Sequence, residues 1–268
     1  MRAVALALGL VIACAAAAPG WAQPAPAKPP QRAWLGVFIR PGLHGVYVQE
    51  IIDQSPAEIT GLEVGDELLA VSGQRVNTPT ELIAAIDAHP VGATVELTLW
   101  RSGRVLRREA VLDAKPDEED ILHRRLVGKR APELRAPTVS GDAIGDLGRL
   151  RGRVVLLLFA ASGCESCASL HRRLSRFVDR NADSALAAFL ISRESRSSLS
   201  AWADSHKPSF TVLHDVGGGV AGRYYVTQEP TVMVIDRDST VLYVGIGGED
   251  RLEIAAEVAG RALARGAI

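Results

Sequence analysis

The sequence predicts two domains in series: a mainly-β barrel with two helices, then an α/β sandwich. Three observations predict this. The chain has 268 residues, and domains run at roughly 150 residues each. Residues 32–113 break into short apolar runs separated by turn dipeptides, the pattern of a small β domain. Residues 128–268 alternate strand-length and helix-length patterns around one continuous apolar run, Val154 to Phe159, which reads as a buried central strand.

Composition narrows the function classes. The chain is 47% hydrophobic and 23% charged, with mean hydropathy +0.12, which excludes disorder for most of its length and supplies two cores. With 30 Lys and Arg against 31 Asp and Glu, the formal charge is −1, and nothing points to nucleic acid. Three cysteines are too few for a disulfide-stapled fold.

Residues 1–22 read as a secretory signal. Arg2 is followed by an apolar stretch from Ala3 to Ala18, and Gly20 and Ala22 stand at the −3 and −1 positions of a cut. A membrane span needs about 20 apolar residues, and this run is shorter. Cleavage would remove Cys14 and leave Cys164 and Cys167. The run Val11-Ile12-Ala13-Cys14 also resembles a bacterial lipoprotein processing site, so a lipid anchor through Cys14 stays open beside a periplasmic or secreted form. Residues 23–31, with Pro24, Pro26, Pro29 and Pro30, form an extended tether.

In the first domain, Trp34 to Arg40 and Val46 to Ile52 read as strands. Ser55-Pro56-Ala57-Glu58 starts a short helix, with Ser55 as N-cap and Pro56 in the first turn. Glu67 to Val71 is a strand ending at Ser72-Gly73. Thr78-Pro79-Thr80-Glu81 opens a second helix, whose Leu82, Ala85 and Ile86 keep helical spacing. Thr94 to Trp100 and Val105 to Leu112 form a hairpin about Ser102-Gly103. The words Leu35-Gly36-Val37, Ser55-Pro56-Ala57, Gly61-Leu62, Gly65-Asp66, Ser72-Gly73-Gln74 and Arg101-Ser102-Gly103 resemble a bacterial PDZ domain of the HtrA type. The resemblance implies a peptide-binding strand at Leu35, Gly36 and Val37. A partner's C-terminal or extended peptide would add along that edge, with Leu82 and Ile86 as an apolar wall. No Gly-x-Ser-x-Gly elbow or other protease constellation accompanies it. Residues 114–127, with Glu118-Glu119-Asp120 and His123-Arg124-Arg125, are expected to be a solvated, charged connector.

In the second domain the central strand leads through Ala160-Ala161-Ser162-Gly163 into Cys164-Glu165-Ser166-Cys167. Leu170, Leu174, Phe177 and Val178 then continue at helical spacing. A cysteine pair at a helix N-terminus meets free N–H groups and partial positive charge, which stabilise a thiolate. Strands at Leu186–Ser192, Phe210–Leu213, Thr231–Asp236 and Val241–Ile246 follow. Helices are expected near Ser197–His206, Val220–Tyr224 and Asp250–Ala264. Ala131-Pro132, Arg151-Gly152-Arg153, Phe159-Ala160-Ala161-Ser162, the C-x-x-C and Glu229-Pro230-Thr231 resemble the TlpA/ResA-like branch of thioredoxin-fold thiol-disulfide oxidoreductases.

That resemblance implies Cys164 as the attacking thiol and Cys167 as the resolving one. It implies a cis peptide before Pro230, and substrate contact through Glu229, Pro230 and Thr231. No metal, nucleotide or flavin cofactor is implied. Electrons would come from another protein, expected in the membrane. The chain departs from the family at three positions. Gly163 precedes Cys164 where tryptophan is typical, Leu158 replaces a buried acid, and Leu170 replaces another. Glu165 inside the motif disfavours the thiolate and points to a reductant. His171 is expected to be an exposed base, with tuning of the sulfur as the alternative; His214 and Asp215 are not placed by sequence. A peroxiredoxin needs a Thr or Ser three residues before the reactive cysteine and a proline nearby, whereas this chain has Ala161 there and no proline in the loop; a Cu(I) carrier would need wider cysteine spacing. The rival from another class is a PDZ-led periplasmic adaptor with a non-catalytic thioredoxin-like scaffold.

Overall fold

Gly36 breaks the first expected strand in two. The computed structural model describes residues 31–141, 143–144, 147–163 and 165–265; the expected secretory signal, nearly all of the expected tether, Cys14 and Cys164 lie outside them. In the first domain the elements are β1 (Ala33–Trp34), β2 (Val37–Pro41), β3 (Val46–Ile51), α1 (Pro56–Ile59), β4 (Glu67–Val71), β5 (Gln74–Arg75), α2 (Pro79–Asp87), β6 (Thr94–Arg101), β7 (Arg104–Val111) and β8 (Asp113–Ala114). Gly36 has φ +89°, and a Cβ there would lie 2.2 Å from that of Ser55, so only glycine fits. On one side of it β1 pairs with β8; on the other β2 pairs with β3.

The antiparallel sheet runs β2-β3-β4-β6-β7, with β5 on β4. Its edges, β2 and β7, do not pair, so the expected barrel is an open sheet. Helix α2 lies against β1, β2 and β4. It fills the side that closure would have needed strands to cover, burying Leu82, Ala85 and Ile86 with Val46, Val71 and Leu97. Its cap is as expected, the Thr78 hydroxyl accepting the Glu81 N–H at 3.2 Å.

The connector is a packed helix rather than a solvated one. Helix α3 (Glu118–Leu126) is capped by Asp117, whose carboxylate accepts the Asp120 N–H at 2.8 Å. Leu122 and Leu126, one turn apart, are both 2% exposed and belong to the core of the second domain. Charge outnumbers apolar residues here, yet two leucines at i and i+4 are enough to give the helix a buried stripe.

The second domain continues with β9 (Ala136–Pro137), β10 (Ala143–Ile144), β11 (Val154–Phe159), α4 (Glu165–Arg180), β12 (Leu186–Ser192), α5 (Arg196–His206), β13 (Thr211–His214), α6 (Gly219–Arg223), β14 (Thr231–Ile235), β15 (Val241–Ile246) and α7 (Glu249–Ala264). Its sheet order is β13-β12-β11-β14-β15. Strand β11 is parallel to β12 and antiparallel to β14, and all six of its residues are buried. Val155, Leu157 and Phe159 face a core shared with α3 and α6. Val154, Leu156 and Leu158 face the opposite core, shared with α4, α5 and α7. This is the α/β sandwich the sequence predicts. No helix among the described residues is long and apolar enough to cross a membrane.

The two domains meet through α3. The Arg125 guanidinium lies 4.0 Å from the Phe38 ring of β2 and 3.3 Å from the Tyr225 ring, and it ion-pairs with Glu50. Arg124 donates to the Gln54 carbonyl at 2.7 Å, and Lys129 pairs with Asp53 at 2.7 Å. On its other side α3 holds the sheet edge: Glu119 accepts the Ile246 N–H at 2.8 Å, and His123 meets the Val244 carbonyl at 2.6 Å. Because α3 is part of the second core, Leu122→Ala should cost about 2–5 kcal/mol, the usual range for a buried leucine. Urea unfolding reads this directly; a change within about 0.5 kcal/mol would return the helix to a surface connector.

Candidate functional site

Strand β11 and the start of β14 converge on the loop that carries the cysteine motif. Phe159, the last residue of β11, is paired with Thr231, the first of β14. Residues 160–163 therefore leave the sheet beside Glu229 and Pro230. The Glu229–Pro230 peptide is cis, as the resemblance implies. Thr231 is fully buried, and its hydroxyl donates to the Gln228 carbonyl at 2.7 Å. Helix α4 then starts at Glu165.

Cys167 is 2% exposed and belongs to an apolar cluster with Leu158, Leu170 and Leu174. It is held in a disulfide. Cys164 lies outside the described residues. Leu158 and Leu170, where relatives of this type carry acids, are both buried and apolar, so neither offers a proton relay to the sulfur at Cys167.

The acid at this site comes from elsewhere. Glu194, just beyond β12, accepts the Ser162 N–H at 2.6 Å and the Ser192 hydroxyl at 3.1 Å. Burial pushes its carboxyl up, but the hydrogen bonds from Ser162 and Ser192 outweigh that and hold it below the usual range. Its neighbour Arg193 clamps Glu229 at 2.9 Å. Sequence reasoning missed both residues. The available signal was their place after a parallel strand, since such strand ends gather at one edge where sites form.

One expectation changes, and two residues the sequence does not place find their positions. His171 is 5% exposed, not an exposed base. It sits one helical turn after Cys167, edge-on to Trp202 at 4.8 Å, because α5 folds over that face of α4. Asp215 is used structurally: its carboxylate accepts the Val220 and Ala221 N–H groups at 2.8 and 2.9 Å, capping α6. His214 ends β13, paired with Ser192. Among the described residues, no group of three or more His, Cys, Asp or Glu could hold a metal ion.

The second candidate surface is on the first domain. A groove of about 290 Å³ runs between β2 and α2, with Leu35, Gly36 and Val37 on one side and Leu82 and Ile86 on the other. All five residues expected from the sequence line it. The carbonyls of Leu35 and Gly36 accept the Ala57 and Ile52 N–H groups at 2.8 and 3.0 Å, which pins the loop before β2. Ile121 of α3 and Lys115 close one part of the groove. Sequence reasoning missed both, because they come from the connector.

Family models match two segments. A PDZ domain model matches residues 33–111, and the AhpC/TSA family model matches residues 127–244. The chain therefore carries a PDZ domain followed by a thioredoxin-fold domain. A probable periplasmic serine endoprotease DegP-like protein of Rhizobium meliloti is 39% identical over 85 residues, 27% of this chain and 17% of that protein. Its counterpart in Bartonella henselae is 32% identical over 102 residues, 34% of this chain and 20% of that one. The chain thus spans about a fifth of the length of these curated relatives. Among solved structures, a putative thiol:disulfide interchange protein DsbE from Chlorobium tepidum is 24% identical, with TM-score 0.48, covering 51% of this chain and 97% of that one. A secreted Mycobacterium tuberculosis disulfide oxidoreductase is 23% identical, with TM-score 0.42, covering 48% and 96%.

His171 makes the site pH-sensitive in a defined direction. Burial, aided by the charge of His206, pushes its imidazole from 6.5 down to about 4. The unfolded chain takes up a proton below pH 6.5 that the folded chain refuses. Stability is therefore complete above pH 6.5 and falls as pH drops toward 4, by about 3 kcal/mol. Urea unfolding of the wild type and His171→Phe at pH about 7 and about 4.5 checks this: the variant should lose less stability on acidification. Equal losses would remove His171 as the cause.

Proposed function

We propose that this PDZ–thioredoxin chain is an exported thiol-disulfide oxidoreductase. It exchanges disulfides with protein substrates through Cys164 and Cys167, while the PDZ groove recruits or orients a partner. The observation that carries this reading is a buried, disulfide-held Cys167 in the first turn of a 16-residue helix that follows the central strand.

The exchange starts with the Cys164 thiolate attacking a substrate disulfide. One substrate sulfur leaves as a thiolate and takes a proton, and a mixed disulfide forms at Cys164. Cys167 then attacks the Cys164 sulfur, releases the second substrate thiol and closes the pair. The N-terminus of α4 stabilises the thiolate. Glu229 and Pro230 border the loop and contact the substrate strand, with Glu229 steadied by Arg193; Thr231, expected to share that contact, is fully buried behind them and holds the turn through Gln228. Glu165 disfavours the thiolate and makes the reduced pair a stronger donor, so the protein works as a reductant, resupplied by a membrane-embedded donor protein.

In the groove, an extended or C-terminal peptide adds to the edge strand β2. Its last side chain packs on Leu82 and Ile86. The α3 contacts support a fixed relation between groove and dithiol, since Arg125 bridges Phe38 of β2 and Tyr225 of the turn leading to Pro230. The similarity of the first domain to periplasmic proteins supports export.

Equilibration of the mature chain with glutathione or dithiothreitol buffers should give a potential near or below about −220 mV. A value near about −120 mV would reverse the direction. Failure to form a reversible disulfide would leave the adaptor reading. A Cys167→Ser variant should accumulate mixed disulfides through Cys164, and an adaptor would accumulate none.

A further inference from the structure

Beside the dithiol loop, between α4 and α5, lies a cavity of about 640 Å³, within the range of small-molecule sites. Ser162 and Gly163, the two residues that precede Cys164, form one wall. His171 and Trp202 form another. The cavity therefore touches the reactive loop from the side opposite the PDZ groove's partner helix, α3, since its walls belong to the other face of the sheet.

His171 is the observation that asks for a ligand. It is 5% exposed, and neither ring nitrogen has a hydrogen-bond partner. A neutral imidazole carries one donor and one acceptor, and leaving both unpaired in a buried place is costly. One amide of an entering ligand pairs with whichever of these nitrogens turns to the cavity, as acceptor or as donor. Trp202, edge-on to His171 and stacked on His206 at 5.0 Å, supplies an apolar floor beside it.

The rim is mainly cationic. Arg172, Arg176 and Lys207 line the cavity against a single acid, Asp179, and none of the three cations has an ion-pair partner among the described residues. Such a rim favours an anionic ligand. The cavity thus asks for an amide, for carboxylates, and for something that belongs next to a cysteine pair.

We infer that this cavity docks a low-molecular-weight peptide thiol bearing carboxylates, or its disulfide, for exchange with the Cys164–Cys167 pair. The assignment rests on the thiol-disulfide reading of that pair. The electrons balance as follows. A first docked thiolate attacks the Cys164 sulfur, the Cys164–Cys167 bond breaks, and Cys167 leaves as a thiolate that takes a proton. A second thiolate attacks the small-molecule sulfur of the mixed disulfide and displaces Cys164, which is protonated in turn. Two thiols are oxidised to one small disulfide, and the protein disulfide is reduced to a dithiol. Supply of the small disulfide runs the same steps backward.

Glutathione, a tripeptide with two carboxylates, is the probe, and β-mercaptoethanol is the uncharged reference. The oxidised mature chain is reduced with each, with rates expressed per thiolate. Glutathione should show saturation and a preference of about tenfold, equal to about 1.4 kcal/mol, that weakens with added salt. Arg172→Ala/Arg176→Ala should remove the preference and leave the β-mercaptoethanol rate unchanged. Non-reactive S-methylglutathione should shift the His171 ring resonances of the wild type saturably, and not those of the double variant. A linear glutathione rate with no preference, or no saturable shift, overturns the docking site while β-mercaptoethanol still reduces the pair. If no thiol reduces the pair, the thiol-disulfide reading itself falls, which the reference reaction reports separately.

Discussion

Strand β11 is the constraint on which the second domain depends. All six residues are buried, and alternate side chains enter two separate cores. It pairs on both edges, parallel to β12 and antiparallel to β14, so its register is held from both sides. A slip of one residue would exchange the two cores' side chains. That register delivers Ala160 to Gly163 to the sheet edge and sets Phe159 beside Thr231. The loop of residues 160–163 and the Glu229–Pro230 peptide thus leave the sheet side by side because two antiparallel strands are in step. Glu194 and Arg193 arrive at the same edge because β12 is parallel to β11 and ends there too.

The first domain joins this frame through a helix that belongs to the second. Leu122 and Leu126 bind α3 to the thioredoxin-fold core, while Arg124 and Arg125 reach the PDZ domain. The Arg125 side chain is 8% exposed, and its planar cation stacks on two aromatic rings at once, a use for which lysine would not substitute. Its rings sit on β2, the edge open to a peptide, and on the turn before Gln228. Gln228 in turn donates to Glu118 at the start of α3. One helix therefore touches both candidate surfaces, and also lends Ile121 to the groove. The groove is not made by the PDZ segment alone.

Two polar groups flank the loop before the cysteine motif, Glu194 and His171, close enough for each to feel the other's charge. Glu194 is charged and satisfied by Ser162 and Ser192, so it holds the loop. His171, on the neighbouring helix, is neutral and unsatisfied. The first group is spent on structure; the second is left for something that enters the cavity. Leu158 and Leu170, where the resemblance leads one to expect acids, are buried and apolar and share a cluster with Cys167.

Much of this was legible in the chain because it depends on local pattern. The run Val154–Phe159, helical spacing after Cys167, Ser55 and Thr78 as caps, and the turn at Ser102-Gly103 each follow from side-chain period or turn chemistry over a few residues. The strand start at Thr231 followed from the same local words, and the five groove residues from the resemblance to a PDZ domain. What tertiary structure alone decided involves partners distant in sequence. Gly36 splits a strand because Ser55 lies against it. The barrel stays open because α2 covers its side. The connector is buried because β15 presents a surface for Leu122 and Leu126. His171 is enclosed because α5 folds over α4. A lone glycine, two leucines amid charges or a histidine beside arginines has no periodic signal strong enough to tell burial from exposure; only the element packed against it settles that.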